Sequence, residues 1–346
     1  MAHLTVAGVA RQRARRILVV LASALLATVA VSPSGAVGAA RASDPAASSA
    51  SVTTPAATAQ AKSRRAVIVV GPTGSQTAEY LGEARHIRDA LVAGGITVEL
   101  ITPPNATWTR VKAAAEGANF FAYLGHGSGW PSPYVSNGED SKDGLGLNPY
   151  AGDTNTGDVK YYGANFLVGG YRCTLGVPPP TTQAACKRLK YGVWKNYGTG
   201  IHFARNAIVL LNRLCYAAGD GEDGMPIPSQ SVAVQRVDNM AAGYLKAGAR
   251  TVFALAWQPG VDIAKWLVNR HATMDQLFRM RDGKSGSPDY LPFHGWVGPW
   301  SVYVNSKRTA TTRIHLDPQL AANFKNGYLR AVTGGLTMTT DQWWGR

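Results

Sequence analysis

The chain has 346 residues, a formal net charge of +14 and three cysteines. Its basic charge is dispersed: after residue 42 no run of five basic residues occurs and no RNA- or DNA-binding motif is found, which argues against a nucleic-acid partner and for attraction to anionic cell-surface polymers. The length suits one large folded domain with an appendage rather than several domains.

The first segment carries Arg11, Arg13, Arg15 and Arg16 without an acid, then a 15-residue apolar run, Ile17 to Val31, and a small-residue stretch containing Ala40-Arg41-Ala42. This pattern predicts a secretory signal peptide over residues 1–42. The apolar run falls short of the roughly 20 residues that span a bilayer, so no membrane association is expected after cleavage. Removing the five arginines of that leader takes the formal charge from +14 to about +9. Residues 43–63 are almost all Ala, Ser, Thr and Pro and bury nothing, which predicts a disordered linker. The protein is expected to be secreted or associated with the cell envelope.

From residue 64 the pattern becomes periodic. Ala66 to Val70 predicts a first strand, and Thr77 to Ala93 a helix with Tyr80, Ala84, Ile87 and Leu91 on one face. Residues 96–101 predict a second strand, 107–116 a second helix and 119–124 a third strand. Continuously apolar strands alternating with helices argue for a parallel sheet covered on both faces. Residues 127–205 are rich in Gly, Asn, Asp, Tyr and Pro and read as an insertion. The period resumes with a strand at 207–211, a helix at 229–247, a strand at 251–256 and a helix at 262–280. Short strands at 301–305 and 313–316 fall in a tryptophan-rich stretch. The expected organisation is therefore an α/β domain over 64–282 and a small C-terminal extension over 283–346.

Ligands of open parallel sheets bind beyond the carboxyl ends of the strands. Two residues with chemical potential fall there. His126 lies between glycines just past the third strand (YLGHGSG), and Cys215 lies just past the fourth (LLNRLCYAAG). If those strands are neighbours, imidazole and thiol converge, and the histidine can take the thiol proton during attack on a carbonyl. Glycine backbone at Gly125 and Gly127 would let an N–H approach the developing oxyanion. Of three possible pairings among the cysteines, Cys173 with Cys186 closes the shortest loop and leaves the thiol at Cys215 for chemistry.

The two blocks resemble the His-Gly and Cys blocks of the caspase-like cysteine peptidases, the group that includes caspases, legumains, gingipains and clostripain. The resemblance implies a three-layer αβα sandwich with a mainly parallel sheet and a long insertion between strands three and four. It also implies peptide-bond acyl transfer on a protein or peptide substrate, with Cys215 as nucleophile, His126 as acid/base group, and the N–H groups of Gly127 and Cys215 as oxyanion hole. Architecturally it covers residues 64–282. The motifs depart from the group in two ways: 89 residues separate His126 from Cys215, and the cysteine is followed by Tyr-Ala rather than Arg-Gly.

Asp220 and Asp223 after the nucleophile are candidates for a pocket that takes a basic side chain. No cofactor is expected. Calcium is the one metal considered, through Glu139, Asp140, Asp143, Asp153 and Asp158, since some members of the group depend on it, but their spacing matches no EF-hand loop. The histidines at 86, 202, 271, 294 and 315 lack zinc-ligand spacing, and Gly71-Pro-Thr-Gly74 lacks the lysine of a phosphate-binding loop. The alternative to an enzyme is an exported, non-catalytic binding or structural domain of the same fold, acting at the cell envelope.

Overall fold

The computed structural model describes residues 64–132, 140–174, 180–222, 224–256, 260–279, 302–310, 312–319 and 327–346. The expected signal peptide and linker lie outside them, as do Glu139, Asp223 and residues 280–301. All described residues belong to one compact unit, Gln60–Arg346.

Its centre is an eight-stranded sheet. Five strands run parallel: β1 (Arg65–Val70), β2 (Thr97–Ile101), β3 (Phe120–Leu124), β9 (Ile208–Asn212) and β10 (Thr251–Leu255), in the order β2-β1-β3-β9-β10. Beyond β10 the sheet continues with three antiparallel strands, β13 (Gly327–Gly334), β12 (Arg313–Gln319) and β11 (Val302–Asn305). The C-terminal residues thus extend the main sheet, and β13 seals the edge of β10.

The continuous apolar runs of β1, β3, β9 and β10 have the expected cause, because both faces of these strands are buried, while β2 at the sheet edge is only partly so. On one face Ile68, Phe120, Leu210 and Phe253 join a core with Ile87 and Leu91 of α1 (Thr77–Ala93). The same core takes Leu267 of α6 (Val261–Asn269) and Leu277 of α7 (Met274–Arg279). On the other face Val67, Phe121, Val209 and Val252 pack with Val111 of α2 (Trp108–Ala115) and with Val237 and Tyr244 of α5 (Gln230–Lys246).

The predicted helix over 262–280 is two helices. The first ends at Asn269, where Arg270 turns extended, and Thr273 caps the second: its Oγ1 accepts from the Gln276 N–H (3.1 Å), and the Gln276 side chain accepts from the Thr273 N–H (2.8 Å). This reciprocal capping box outweighs the helical period that runs through it.

Residues 127–205 contain two small sheets. One has β4 (Gly127–Ser128), β5 (Gly144–Leu147) and β6 (Lys160–Tyr162), and the other β7 (Tyr171–Cys173) and β8 (Trp194–Asn196). Two short helices, α3 (Ala164–Val168) and α4 (Gln183–Lys187), complete the region. Its core is aromatic: Tyr162 stacks on Trp108 (5.3 Å), and Phe166 meets Tyr162 and Tyr197 edge-on (5.1 and 5.0 Å). Cys173 and Cys186 form a disulfide that ties β7 to α4, with their α-carbons 5.5 Å apart. No described helix is long and apolar enough to cross a membrane.

Candidate active site

Strands β3 and β9 are neighbours, and Leu124 stands opposite Asn212 in their register. The chain therefore leaves the sheet at matched heights, with His126 two residues beyond one strand and Cys215 three residues beyond the other. The backbones meet there. A β-carbon on Gly127 would lie 2.5 Å from the Cys215 carbonyl oxygen and 2.6 Å from Leu214 Cδ1. A side chain at 127 would force the two loops apart.

The histidine loop is fastened from below. Tyr123, wholly buried, donates from its hydroxyl to the Gly146 carbonyl (2.6 Å), and the same hydroxyl lies 3.0 Å from the His126 carbonyl. Gly125, at a φ of 155°, sits directly on this phenol, which leaves no room for a β-carbon. The Gly146 N–H donates to the His126 carbonyl (2.9 Å), so Gly127 and Leu145 face each other as a non-hydrogen-bonded pair of β4 and β5. That geometry turns the Gly127 N–H out of the ladder. The imidazole itself reaches solvent. Its surroundings lower its basicity through partial desolvation, against which the Glu222 carboxylate acts by stabilising the protonated ring.

The cysteine loop is held differently. Arg213 and Tyr216 flank Leu214 and Cys215 with φ of 54° and 69°, left-handed conformations that non-glycine residues seldom adopt. Arg213 is anchored to α1 by Nη1 on Glu79 (2.9 Å) and Nε on Glu83 (2.7 Å). Glu83 also accepts from the Gly260 N–H (3.0 Å) and from the Asn212 amide. One carboxylate thus collects the end of β9, the loop behind it and the start of α6. On the far side the Tyr216 hydroxyl donates to Glu222 Oε1 (2.9 Å) and meets Ser132 Oγ (2.8 Å). The Arg236 guanidinium covers the Tyr216 ring at 5.0 Å.

Cys215, which is outside the disulfide and partly exposed, lines a small pocket with Tyr80, Arg213, Asp220, Gly221 and Ala256. Asp220 therefore shares a pocket with the thiol, whereas Asp223 lies outside the described residues. Two phenols feel the cysteine electrostatically. Tyr80 is pushed up to about 12, mainly by burial, and Tyr161 is raised by burial and then by Glu222 and Cys215. Sequence reasoning missed both, along with Arg213 and Glu83. Glu79 and Glu83, one helical turn apart on α1, were the available signal, since such a pair suits an arginine from outside the helix.

Three of the five acids considered for calcium hold partners through at least one oxygen, while Asp153 Oδ2 is buried without one among the described residues. Asp140 pairs with Lys195 and Tyr197, Asp143 Oδ1 accepts from the Trp130 N–H (2.9 Å), and Asp153 Oδ1 accepts from the Asn155 N–H (3.0 Å). Among the described residues no three His, Cys, Asp or Glu side chains form a metal-sized cluster. In comparisons with known proteins, no family model matches the chain and no curated protein matches it.

Proposed function

We propose that the protein is an exported cysteine peptidase of the caspase-like type, in which Cys215 attacks a peptide carbonyl and His126 moves the proton. A three-layer caspase-like sandwich with an insertion at 127–205 belongs to the same reading. The observation that carries it is the meeting of the two loops: Gly127 lies against the Cys215 carbonyl at the carboxyl ends of adjacent parallel strands.

In the first step the thiol proton passes to the imidazole as sulfur adds to the carbonyl carbon. The Gly127 N–H, turned out of its ladder, is suited to the oxyanion, together with the Cys215 N–H. The imidazolium then protonates the leaving amine and a thioester remains. Water, activated by the same neutral imidazole, hydrolyses it and regenerates the thiol. A histidine of lowered basicity is neutral at the start, as a general base must be. Asp220 offers a carboxylate for a basic substrate side chain next to the scissile bond.

The test is alkylation with iodoacetamide at mildly acidic pH, followed by peptide mapping, alongside cleavage of a fluorogenic panel with Arg, Lys, Asn or Asp before the scissile bond. Fast labelling of Cys215 that collapses in His126→Ala, with cleavage lost in Cys215→Ala, is expected. A Cys215 that reacts only after denaturation overturns the proposal in favour of the non-catalytic domain.

A further inference from the structure

A second site lies away from the thiol. A groove of about 450 Å³ runs between α3 and β7 on one side and α5 and the β11–β12 turn on the other. Five cationic side chains line it from four separate parts of the chain: Lys142, Arg172, Lys246, Lys307 and Arg308. Four of them, Arg172, Lys246, Lys307 and Arg308, form no ion pair with a described carboxylate.

Two acids stand close by. Asp143 lines the groove, but its Oδ1 takes the Trp130 N–H. Asp238 accepts from the Ser306 hydroxyl and the Lys307 N–H (2.7 Å). Like charges still crowd. Lys246 is lowered by partial burial and then by Arg172 and Arg308, against which the Asp238 carboxylate acts. Such repulsion costs stability, and an anion placed among the four would relieve it.

The count of charges selects the ligand. One carboxylate brings a single negative charge into this volume, whereas a phosphate brings up to two and three acceptor oxygens, which suit the planar forks of Arg172 and Arg308. Tyr171, exposed and stacked on Trp194, adds an aromatic face at the rim for the organic part of such a ligand. We propose that this groove binds a multiply charged, phosphate-bearing anion. The site also touches the histidine loop: Arg308 Nε donates to Asn239 Oδ1 (2.7 Å), and Asn239 Nδ2 donates to the Trp130 carbonyl (2.9 Å).

Isothermal titration of the full chain with sodium pyrophosphate, and separately with long-chain polyphosphate, tests this at low and high salt. Binding that weakens with salt, and that falls about tenfold or more in Lys246→Ala/Lys307→Ala, is expected. Pyrophosphate binding assigns a small free ligand, and polyphosphate binding without it assigns a phosphate polymer. Both substituted lysines are exposed, and an unchanged melting temperature verifies the fold. Cys215→Ala must bind equally well, so this result stands apart from the peptidase reading. Absence of binding to both probes, or equal weakening in an Arg85→Ala/Lys265→Ala control on the α1 and α6 helices of the opposite sheet face, overturns the proposal.

Discussion

At the scale of single residues, the glycines around His126 have separate causes. Gly125 makes room for the Tyr123 phenol that holds the loop, while Gly127 makes room for the Cys215 backbone. Gly127→Ala is expected to abolish cleavage and to destabilise by roughly 1–3 kcal/mol, because its close neighbours include backbone that cannot swing aside. Steady-state kinetics and chemical denaturation measure the two effects, and an active Gly127→Ala enzyme would refute the tight contact. His126 gives a pH signature. Activity needs the neutral ring, so kcat/KM should rise with pH along an acid limb below 6.5. Glu222 stabilises the protonated form, so Glu222→Gln should move that limb to lower pH. A limb that stays fixed or moves upward would show that Glu222 does not act on the imidazole.

At the scale of elements, α7 is tied to β12 by a buried pair. His315, wholly buried between Phe278 and Tyr303, contacts Asp275 through Nδ1 (2.6 Å). Burial alone would raise the Asp275 carboxyl, but hydrogen bonds from His315 and Tyr303 outweigh it and hold the group below its ordinary value. A depressed carboxylate contributes stability that is present above the unfolded-state value near 4 and is lost as pH falls through the folded value. Thermal melts should therefore drop below pH ~4 in the native chain, and Asp275→Asn should flatten that limb while lowering stability at neutral pH. Parallel pH profiles of the two proteins decide the matter. Much of the element layout was legible in the sequence, because the buried parallel strands and the α1 stripe carry one period each. The start of α7 was legible too, as a threonine three residues before a glutamine, yet the continuing apolar spacing hid the break that precedes it. β13 was harder to read. Arg330 inside it is buried, donating Nη1 to the Phe278 carbonyl (3.1 Å) with its guanidinium over that ring, and in sequence it looks like a surface charge.

At the scale of the whole molecule, the stretch read as a small extension after residue 282 completes the sheet. Leu329, Ala331 and Val332 of β13 are buried, and β13 pairs with β10 along five positions from Thr251 to Leu255. The end of the chain also packs against the start of the parallel sheet. Trp343 of α8 (Thr340–Trp344) is fully buried, donates to the Asn119 carbonyl (3.1 Å) just before β3, and lies under the Arg64 guanidinium at 5.3 Å. The site depends on the same frame, since β9 lies between β3 and β10 and carries Cys215 at its end. A chain truncated after Asp282 would expose the β10 edge and uncover apolar surface on both faces, a template for intermolecular pairing. It should aggregate or melt without cooperativity, and Trp343→Ala in the full chain should cost about 3–5 kcal/mol. Circular dichroism melts and size-exclusion chromatography read both. A truncated protein that stays monodisperse, melts cooperatively and still alkylates rapidly at Cys215 would show that the parallel strands fold and build the site without the antiparallel ones.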